Sequence, residues 1–235
     1  NTLYPSCTVH YSWYNMLMYF SSRIEAGFKL ANEIAPLHRY DNCVVVALSD
    51  GGVQVGQQIA SALHCALTLL LIEDIAVPGE GVDFGALNQS GRFTYNGMFS
   101  AGEIEEYYSE FHGYIEDQKR VKMSKINHLL GAGGIVNETM LREHVVILVS
   151  DDFANGASLE AAADFLKPLR INRLVVAAPI ASVPAVDRMH MLADELHVLS
   201  VADNFLNTNH YYDVNDVPSH DVTVATLNDI VFNWR

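Results

Sequence analysis

The feature that most constrains this chain is a short apolar run that leads directly into a glycine turn and a helical stretch. Residues 43–48 read Cys-Val-Val-Val-Ala-Leu, followed by Ser-Asp-Gly-Gly at 49–52 and a helical pattern over 53–63. An apolar run without polar alternation is typical of a strand in a parallel sheet that is buried on both faces. The glycine turn marks the passage from strand to helix.

This unit recurs along the chain. Four further apolar runs follow, at 66–72, 144–149, 173–178 and 196–199. Helical patterns separate the later runs, at 158–169 and 184–192. Strands that alternate with helices predict an α/β fold with a central, mostly parallel, five-stranded sheet flanked by helices. Active sites in such sheets lie at the carboxyl ends of the strands.

Three segments lie outside this alternation. Apolar spacing over 11–37 predicts an amphipathic helix that Pro36 ends. Turn signals within 84–98 predict an antiparallel hairpin inserted after the second strand. Residues 103–130 predict a long polar helix, with the glycine-rich residues 131–134 as its flexible end.

Composition favours one folded domain over residues 1–235. Hydrophobic residues make up 50% of the chain and charged residues 18%, which is enough for a core and carries no signature of disorder. The longest early apolar stretch, 11–20, is too short to span a bilayer, and no basic segment precedes it. Three cysteines without metal-ligand spacing fit reduced thiols, so we expect a cytoplasmic protein with no membrane association.

The charge balance excludes one class of partner and restricts another. The formal net charge is −14, from 14 Lys+Arg against 28 Asp+Glu. Nucleic-acid binding depends on Lys and Arg that neutralise phosphates, so we expect no nucleic-acid partner. A phosphorylated small molecule would need a local positive site to overcome the general field. The ten histidines show no spacing typical of a metal site and no cluster with carboxylates, so the sequence predicts no zinc site.

The most informative segment is 145–158, Val-Val-Ile-Leu-Val-Ser-Asp-Asp-Phe-Ala-Asn-Gly-Ala-Ser. An apolar strand runs into an acidic turn, and small and hydroxyl residues follow at a helix start. Free backbone amides and the helix dipole make such a turn an anion site. This layout resembles the phosphoribosyl pyrophosphate loop of the type I phosphoribosyltransferases.

The resemblance covers about residues 22–222 and includes four more segments in the family's order. Arg23 and the residues Ala26, Gly27, Leu30 and Ala31 resemble the family's Asp-Arg-x-x-Ala-Gly-x-x-Leu-Ala opening. The other matching segments are the turn 48–52, the segment 75–79 and the aromatic C-terminal region around 204–205 and 211–212. The family fold includes a small hood region, and a homodimer is in keeping with it.

The resemblance implies a role for each matching position. Asp151 and Asp152 would face the ribose, act as the catalytic acid pair and hold Mg²⁺. Asp50, Gly51 and Gly52 would occupy the pyrophosphate turn, and Phe205 would stack on a base. The 5′-phosphate would lie against the turn formed by Ala154, Asn155, Gly156, Ala157 and Ser158. The implied partner is a phosphorylated ribose or a nucleotide-like small molecule.

The departures from the family pattern all remove positive charge or displace the acids. Ser150 stands where the first acid is expected, so the acid pair is shifted by one residue. Asp50 replaces the arginine of the pyrophosphate turn, and Glu73 and Asp74 replace an Arg-Lys pair. A charge-assisted hydrogen bond contributes about 1.5 to 3 kcal/mol, whereas a like charge opposes binding. The sequence therefore predicts a degenerate site with weak or lost phosphoribosyl transfer.

Each site residue also has a purely structural interpretation. Asp, Asn, Gly and Ser are common turn and cap residues between a strand and a helix. Gly51 and Gly52 fit any tight turn, and Phe205 fits the packing of a small subdomain, which is the more common role of such aromatics. Residues 131–134 lack a basic residue, which favours a plain linker over the family's mobile loop.

Three functions stay open at this point. The first is a working phosphoribosyltransferase that depends on Mg²⁺. The second is a non-catalytic protein of the same fold that binds a nucleotide, a less charged ligand or a protein partner, and the missing cations favour this one. The third is a different Mg²⁺-dependent reaction on a sugar phosphate, with the acids Asp50, Asp74, Asp151 and Asp152 as metal ligands.

Overall fold

The computed structural model describes residues 8–11, 18–79, 81–131 and 136–233, with side chains described except at 8–11 and 230–233. Its strands and helices follow each other in this order: β1 (Thr8–Tyr11), α1 (Arg23–His38), β2 (Cys43–Ala47), α2 (Asp50–Leu63), β3 (Ala66–Leu69), β4 (Ile72–Ala76), β5 (Asp83–Asn88), β6 (Phe93–Tyr95), α3 (Ala101–Leu130), β7 (Val145–Val149), α4 (Ala157–Leu166), β8 (Arg173–Ser182), α5 (Val183–Leu192), β9 (Glu195–Ala202) and α6 (His220–Asn233).

The central sheet is parallel throughout and has the strand order β1-β9-β8-β7-β2-β3. The five predicted strands form β2, β3, β7, β8 and β9, which confirms the predicted fold class. A sixth strand, β1, extends the sheet beside β9. Tyr11, the end of β1, is therefore not part of the helix that the sequence predicts over 11–37.

Both faces of the sheet are buried, which explains the unbroken apolar runs. Alternate residues of one strand enter different cores: Val45 and Ala47 pack with α1 and α2, whereas Val44 and Val46 pack with α4 and α5. The same division holds along β7 and β8. Because side chains of a strand alternate between faces, a strand covered on both sides carries no polar position.

The first helix is shorter at its start than predicted and longer at its end. The Ser22 hydroxyl accepts the Glu25 N–H at 3.2 Å and starts α1 at Arg23. Pro36 does not end the helix, which continues to His38. The apolar spacing over 11–37 includes Ile24 and Phe28, which are exposed, so it matches the buried face of α1 only in part. Residues 12–17 of the predicted helix lie outside the described residues.

The predicted second strand is two strands in two different sheets. The run 66–72 leaves the central sheet after Leu69, and β4 begins at Ile72 in a three-stranded antiparallel sheet of order β4-β5-β6. The predicted hairpin is therefore present and has a third strand. The long helix α3 covers this sheet through an aromatic cluster around Phe84 and Ile115.

The C-terminal helix α6 was not predicted. Its Leu227 reaches the core on the α1 and α2 side of the sheet. Within the described part of the chain, no helix is long and apolar enough to cross a bilayer.

Candidate functional site

The candidate site is a cleft at the carboxyl ends of the central strands, where β2 and β7 pass into α2 and α4. It encloses about 160 Å³. Leu48 after β2, Ile72 at the start of β4 and Ser150 after β7 all line it, so these three parts of the chain converge on one cleft. The lining residues are Leu48, Ser49, Ile72, Asp74, Asp83, Ser150, Asp151, Asp152, Ala154, Asn155 and Ser158.

The glycine turn after β2 is shaped by packing against the acidic turn. The Ser49 hydroxyl caps α2 by accepting the Gly52 N–H at 2.8 Å. A Cβ at Gly51 would overlap the Asp151 carboxylate, and one at Gly52 would lie 3.2 Å from the Val149 carbonyl oxygen. Both glycines are thus required by the protein's own contacts.

Asp50 lies off the cleft, at the first residue of α2. Its carboxylate contacts Nδ1 of His220 at 3.1 Å, at the start of α6. The structure therefore does not bring Asp50 together with Asp151 and Asp152.

Asp151 is held by groups of the protein on both carboxylate oxygens. Oδ2 accepts from Arg23 Nε at 2.7 Å, and Oδ1 accepts from the Ser49 hydroxyl at 2.7 Å. Its backbone carbonyl accepts from the Tyr212 hydroxyl at 2.5 Å. Only 9% of the Asp151 side chain is exposed. The carboxylate lines the cleft, but both of its oxygens already accept hydrogen bonds from side chains of the protein, Arg23 and Ser49.

Arg23 carries the charge that balances Asp151. Its side chain is 2% exposed, and the guanidinium lies 4.5 Å above the centre of the Tyr212 ring. Its terminal nitrogens donate to Asn209 at 3.0 Å and to Asn215 at 3.4 Å. Burial and these partners keep the Arg23 cation from reaching a ligand in the cleft.

Asp152 is the less neutralised member of the acid pair. One oxygen accepts from the Thr208 hydroxyl at 3.0 Å. Burial and then the charge of Asp151 raise the pKa of Asp152 to about 7, against the hydrogen bond from Thr208 and the charge of Arg23. Its carboxyl thus changes charge near neutral pH.

Two more aspartates face Asp152 across the cleft, from the small sheet. Desolvation raises the pKa of Asp74, and the charges of Asp83, Asp152 and Glu73 add to the shift. The Asp74 residue is exposed to solvent, which screens these charges and keeps the rise in its pKa smaller than full burial would give. Glu73 points away and pairs with two lysines of α3, Lys122 at 3.0 Å and Lys125 at 2.5 Å.

The predicted phosphate turn is partly filled by its own side chain. Asn155 Oδ1 accepts the Ala157 N–H at 2.9 Å, and Asn155 Nδ2 donates to Asp83 Oδ2 at 2.6 Å. Gly156 packs against Arg188, where a Cβ would lie 2.7 Å from Arg188 Cγ. Ser158 and exposed Ala154 still line the cleft. Phe153 is buried in the core and does not close the turn.

Phe205 does not line the cleft. It packs on Tyr211 with 5.2 Å between ring centres, next to the core on the α1 side. Of the glycine-rich segment 131–134, residues 132–134 lie outside the described residues.

Two curated relatives match this chain over most of its length. They are Mycobacterium tuberculosis proteins from two strains, named as candidate phosphoribosyl transferases, and both are 26% identical to this chain over 209 residues. The match covers 88% of this chain and 46% of each relative, so the chain spans about half the length of the curated relatives it matches. No family model matches the sequence.

Among solved structures, TT1426 from Thermus thermophilus is 28% identical, with a TM-score of 0.67 and coverage of 92% of this chain and 99% of that chain. The curated relatives support the predicted resemblance to the type I phosphoribosyltransferases. AQ2163 from Aquifex aeolicus, at 12% identity and a TM-score of 0.50, covers 83% of this chain and 86% of that chain and shows likeness of fold.

Among the residues that the structure describes, the carboxylates of the cleft do not form a complete Mg²⁺ site on their own. Among the described residues, no three cleft carboxylates bring ligand atoms within 4.8 Å of one another. Asp151 already accepts from Arg23 and Ser49. Mg²⁺ commonly binds through one or two carboxylates plus the phosphates of a ligand.

Sequence reasoning missed several residues that shape the cleft. Asp83 lines the cleft from β5 and anchors Asn155. Arg23 was matched to the family opening, but its pairing with Asp151 spans 128 residues. Thr208 and Tyr212 reach the acid pair from the C-terminal region. No local pattern marks any of these contacts, because each joins segments that are distant in the sequence.

Proposed function

We propose that this chain is a phosphoribosyltransferase-like protein that no longer transfers phosphoribosyl groups and instead binds a ribosyl ligand of low negative charge. The observation that carries the proposal is the lining of the cleft. Among the residues that the structure describes, this lining includes four aspartates, Asp74, Asp83, Asp151 and Asp152, and no lysine or arginine.

Loss of transfer follows from the chemistry of the reaction. Displacing pyrophosphate develops negative charge on the leaving group, and stabilisation of that charge by positioned donors and cations is usually the largest source of rate. Asp74 stands in the cleft where the family has a cation, and Arg23 is buried against Asp151. Both features oppose a pyrophosphate group.

A neutral or weakly charged ribosyl ligand suits the same cleft. Ribose hydroxyls donate hydrogen bonds to carboxylates, and Asp152 offers an oxygen that Thr208 does not use. The Ser158 hydroxyl lies at the same opening. The Ala157 amide is already bonded to Asn155, which weakens the turn as a phosphate site.

A divalent cation would accompany a phosphorylated ligand. We propose that Mg²⁺ enters bound to the phosphate of the ligand and is then coordinated by Asp152, because Arg23 neutralises Asp151. A separate Mg²⁺-dependent sugar-phosphate reaction has less support, because Asp50 contacts His220 outside the cleft.

The test is a calorimetric titration with a nucleoside, the matching nucleoside monophosphate and phosphoribosyl pyrophosphate, each with and without Mg²⁺. We expect the nucleoside or the monophosphate to bind more tightly than phosphoribosyl pyrophosphate, and a pyrophosphate-release assay with common bases to stay at background. Tight binding of phosphoribosyl pyrophosphate or base-dependent pyrophosphate release would overturn the proposal.

Two variants sharpen this test. Asp74→Lys restores a positive charge inside the cleft and is expected to improve phosphoribosyl pyrophosphate binding by about tenfold or more. Asp50→Arg restores the arginine of the family's pyrophosphate turn. Because Asp50 lies beside His220 and outside the cleft, this variant should improve phosphoribosyl pyrophosphate binding less than Asp74→Lys does. Asp187→Lys, on the exposed face of α5, is the control for a change of net charge.

A further inference from the structure

A second cluster of titratable groups lies away from the cleft, at the amino end of β9, whereas the cleft lies at the carboxyl ends of the strands. Glu195 is the first residue of β9, His197 follows on the same strand, and His38 is the last residue of α1. The side chains of His38, Glu195 and His197 are 1%, 9% and 0% exposed. The sequence prediction that no histidine clusters with a carboxylate is therefore wrong.

The three side chains meet at one carboxylate oxygen. Glu195 Oε1 lies 3.2 Å from His38 Nε2 and 2.9 Å from His197 Nε2. The three candidate ligand atoms all lie within 4.8 Å of one another, the one such group among the residues that the structure describes. Ligands about 2.0–2.2 Å from a zinc ion are separated by similar distances, roughly 3–3.5 Å, in tetrahedral geometry.

His38 faces a carboxylate with each ring nitrogen. Nδ1 lies 2.8 Å from Asp41 Oδ2, while Nε2 faces Glu195. A neutral imidazole has one donor nitrogen and one acceptor nitrogen, so one of these contacts would oppose two lone pairs. A metal ion between His38 Nε2 and Glu195 Oε1 would use the nitrogen lone pair and leave the Nδ1–H to donate to Asp41.

We propose that His38, Glu195 and His197 bind a divalent transition-metal ion, with zinc as the first candidate, through the two Nε2 atoms and Glu195 Oε1. Two imidazoles and one carboxylate are a common zinc ligand set. The site is distinct from the cleft and makes no use of the ribosyl ligand. Its burial between α1 and β9 indicates a structural role, in which the ion links the end of α1 to the start of β9.

The surroundings of the cluster support a metal. A carboxylate on the far nitrogen of a ligating histidine fixes the tautomer and orients the ring, and Asp41 occupies that position for His38. The carbonyl groups at the end of α1 add partial negative charge near the ion. Asp41 is 39% exposed, which places the cluster one side chain below the surface.

One positive group opposes the ion. Arg173 NH1 lies 3.7 Å from the other oxygen of Glu195, and the arginine side chain is 49% exposed. Solvent screens this charge, and the contact leaves Oε1 turned toward the two histidines. Glu195 and Asp41 together balance a dication.

The experiment is a zinc titration of chelator-treated protein against a colorimetric zinc chelator, followed by thermal unfolding. We expect one zinc ion to bind per chain, with an affinity that depends on Glu195. At a free zinc concentration one hundred times Kd, the Tm should rise by about 5–10 °C. Glu195→Gln, which is nearly isosteric, should weaken zinc binding on the order of 100-fold. His128→Gln, at an exposed histidine of α3, is the matched control and should bind like the wild type.

A second variant guards against loss of folding. Asp41→Asn changes a partly exposed side chain and should weaken zinc by about 10- to 100-fold while the protein stays folded in chelator. Cobalt in place of zinc should give the absorption spectrum of a tetrahedral nitrogen and oxygen site. Equal zinc binding by the wild type and both variants, or no stoichiometric binding by the wild type, would overturn the proposal.

Discussion

At the scale of single residues, the acid pair of the cleft is divided by its neighbours. Asp151 is neutralised by Arg23 and held by Ser49, whereas Asp152 has only the Thr208 hydroxyl as a side-chain donor. Two adjacent aspartates therefore differ in what they do for the protein. Asp151 ties the cleft to α1 and α2, and Asp152 keeps fewer protein side-chain donors.

The buried pair of Arg23 and Asp151 should be costly to break from one side. Arg23→Met leaves a buried carboxylate without its cation, and we expect a loss of about 3–5 kcal/mol in the free energy of unfolding, measured with urea. Lys29→Met removes the exposed partner of Glu25 and should cost less than about 1 kcal/mol. A double variant with Asp151→Asn should lose less than the sum of the single changes. An Arg23→Met cost similar to that of Lys29→Met would contradict the buried pair.

Asp152 makes stability depend on pH in a defined direction. Its folded pKa is about 7, above the usual aspartate value of 3.8, so between these values the folded state binds more protons than the unfolded state. Stability from this group is present below about pH 4 and is lost as pH rises toward 7. Asp152→Asn should therefore stabilise the protein by about 1–3 kcal/mol near pH 8 and change little near pH 4.

The measurement is urea unfolding of Asp152→Asn at both pH values in buffer with a chelator, so that no divalent cation binds the carboxylate. Asp187→Asn, at an exposed aspartate of α5, is the control. A stabilisation that is equal at both pH values would rule out the ionisation of Asp152 as its cause.

At the scale of elements, the start of α2 and the turn after β7 are built against each other. Ser49 caps α2 and donates to Asp151, and Gly51 leaves the space that the Asp151 carboxylate occupies. The helix α1 packs on α2 equally closely, since a Cβ at Gly27 would lie 2.7 Å from the Val55 carbonyl oxygen. These close contacts hold α1, α2 and the turn after β7 against one another.

Two glycine substitutions should have opposite signs. Gly51→Ala places a methyl group onto the Asp151 carboxylate and should lower the free energy of unfolding by about 1–3 kcal/mol. Gly113→Ala, in the exposed middle of α3 with no atom within 4 Å of the added Cβ, should raise it by about 0.5–1 kcal/mol. Chemical denaturation of both variants checks the pair. A neutral Gly51→Ala would mean that the turn is free to move away from β7.

At the scale of the whole molecule, the negative field acts with the lining of the cleft. The formal net charge is −14, and the cleft adds a local cluster of carboxylates to that field. Fields of one sign repel ligands of the same sign at long range, and salt screens the repulsion.

Ligand affinity should therefore respond to salt according to ligand charge. Between about 20 mM and about 300 mM NaCl, the affinity for a nucleoside monophosphate should rise, while that for the uncharged nucleoside should stay nearly constant. Calorimetry at the two salt concentrations measures both. A monophosphate affinity that falls with salt would indicate a positive site that the described residues of the cleft do not show.

Part of the fold could be predicted from the sequence because its cause is local. Apolar runs such as 43–48 reflect burial on both faces of a strand, and the turns that follow them place Ser49 and Asp151 at the same edge of a parallel sheet. The boundaries were less predictable. Leu70 and Leu71 continue an apolar run although the chain changes sheets there, because both sheets bury apolar residues.

The sequence by itself determined the alternation of strands and helices, the convergence of the loops and the excess of negative charge near them. Only the tertiary structure decided which charges are balanced. Arg23 meets Asp151 across 128 residues, and His38 meets Glu195 across 157 residues. Periodicity records which face of an element is buried, whereas the partner of a buried charge depends on how distant elements pack. For that reason the cleft was visible in the sequence, and the histidine cluster was not.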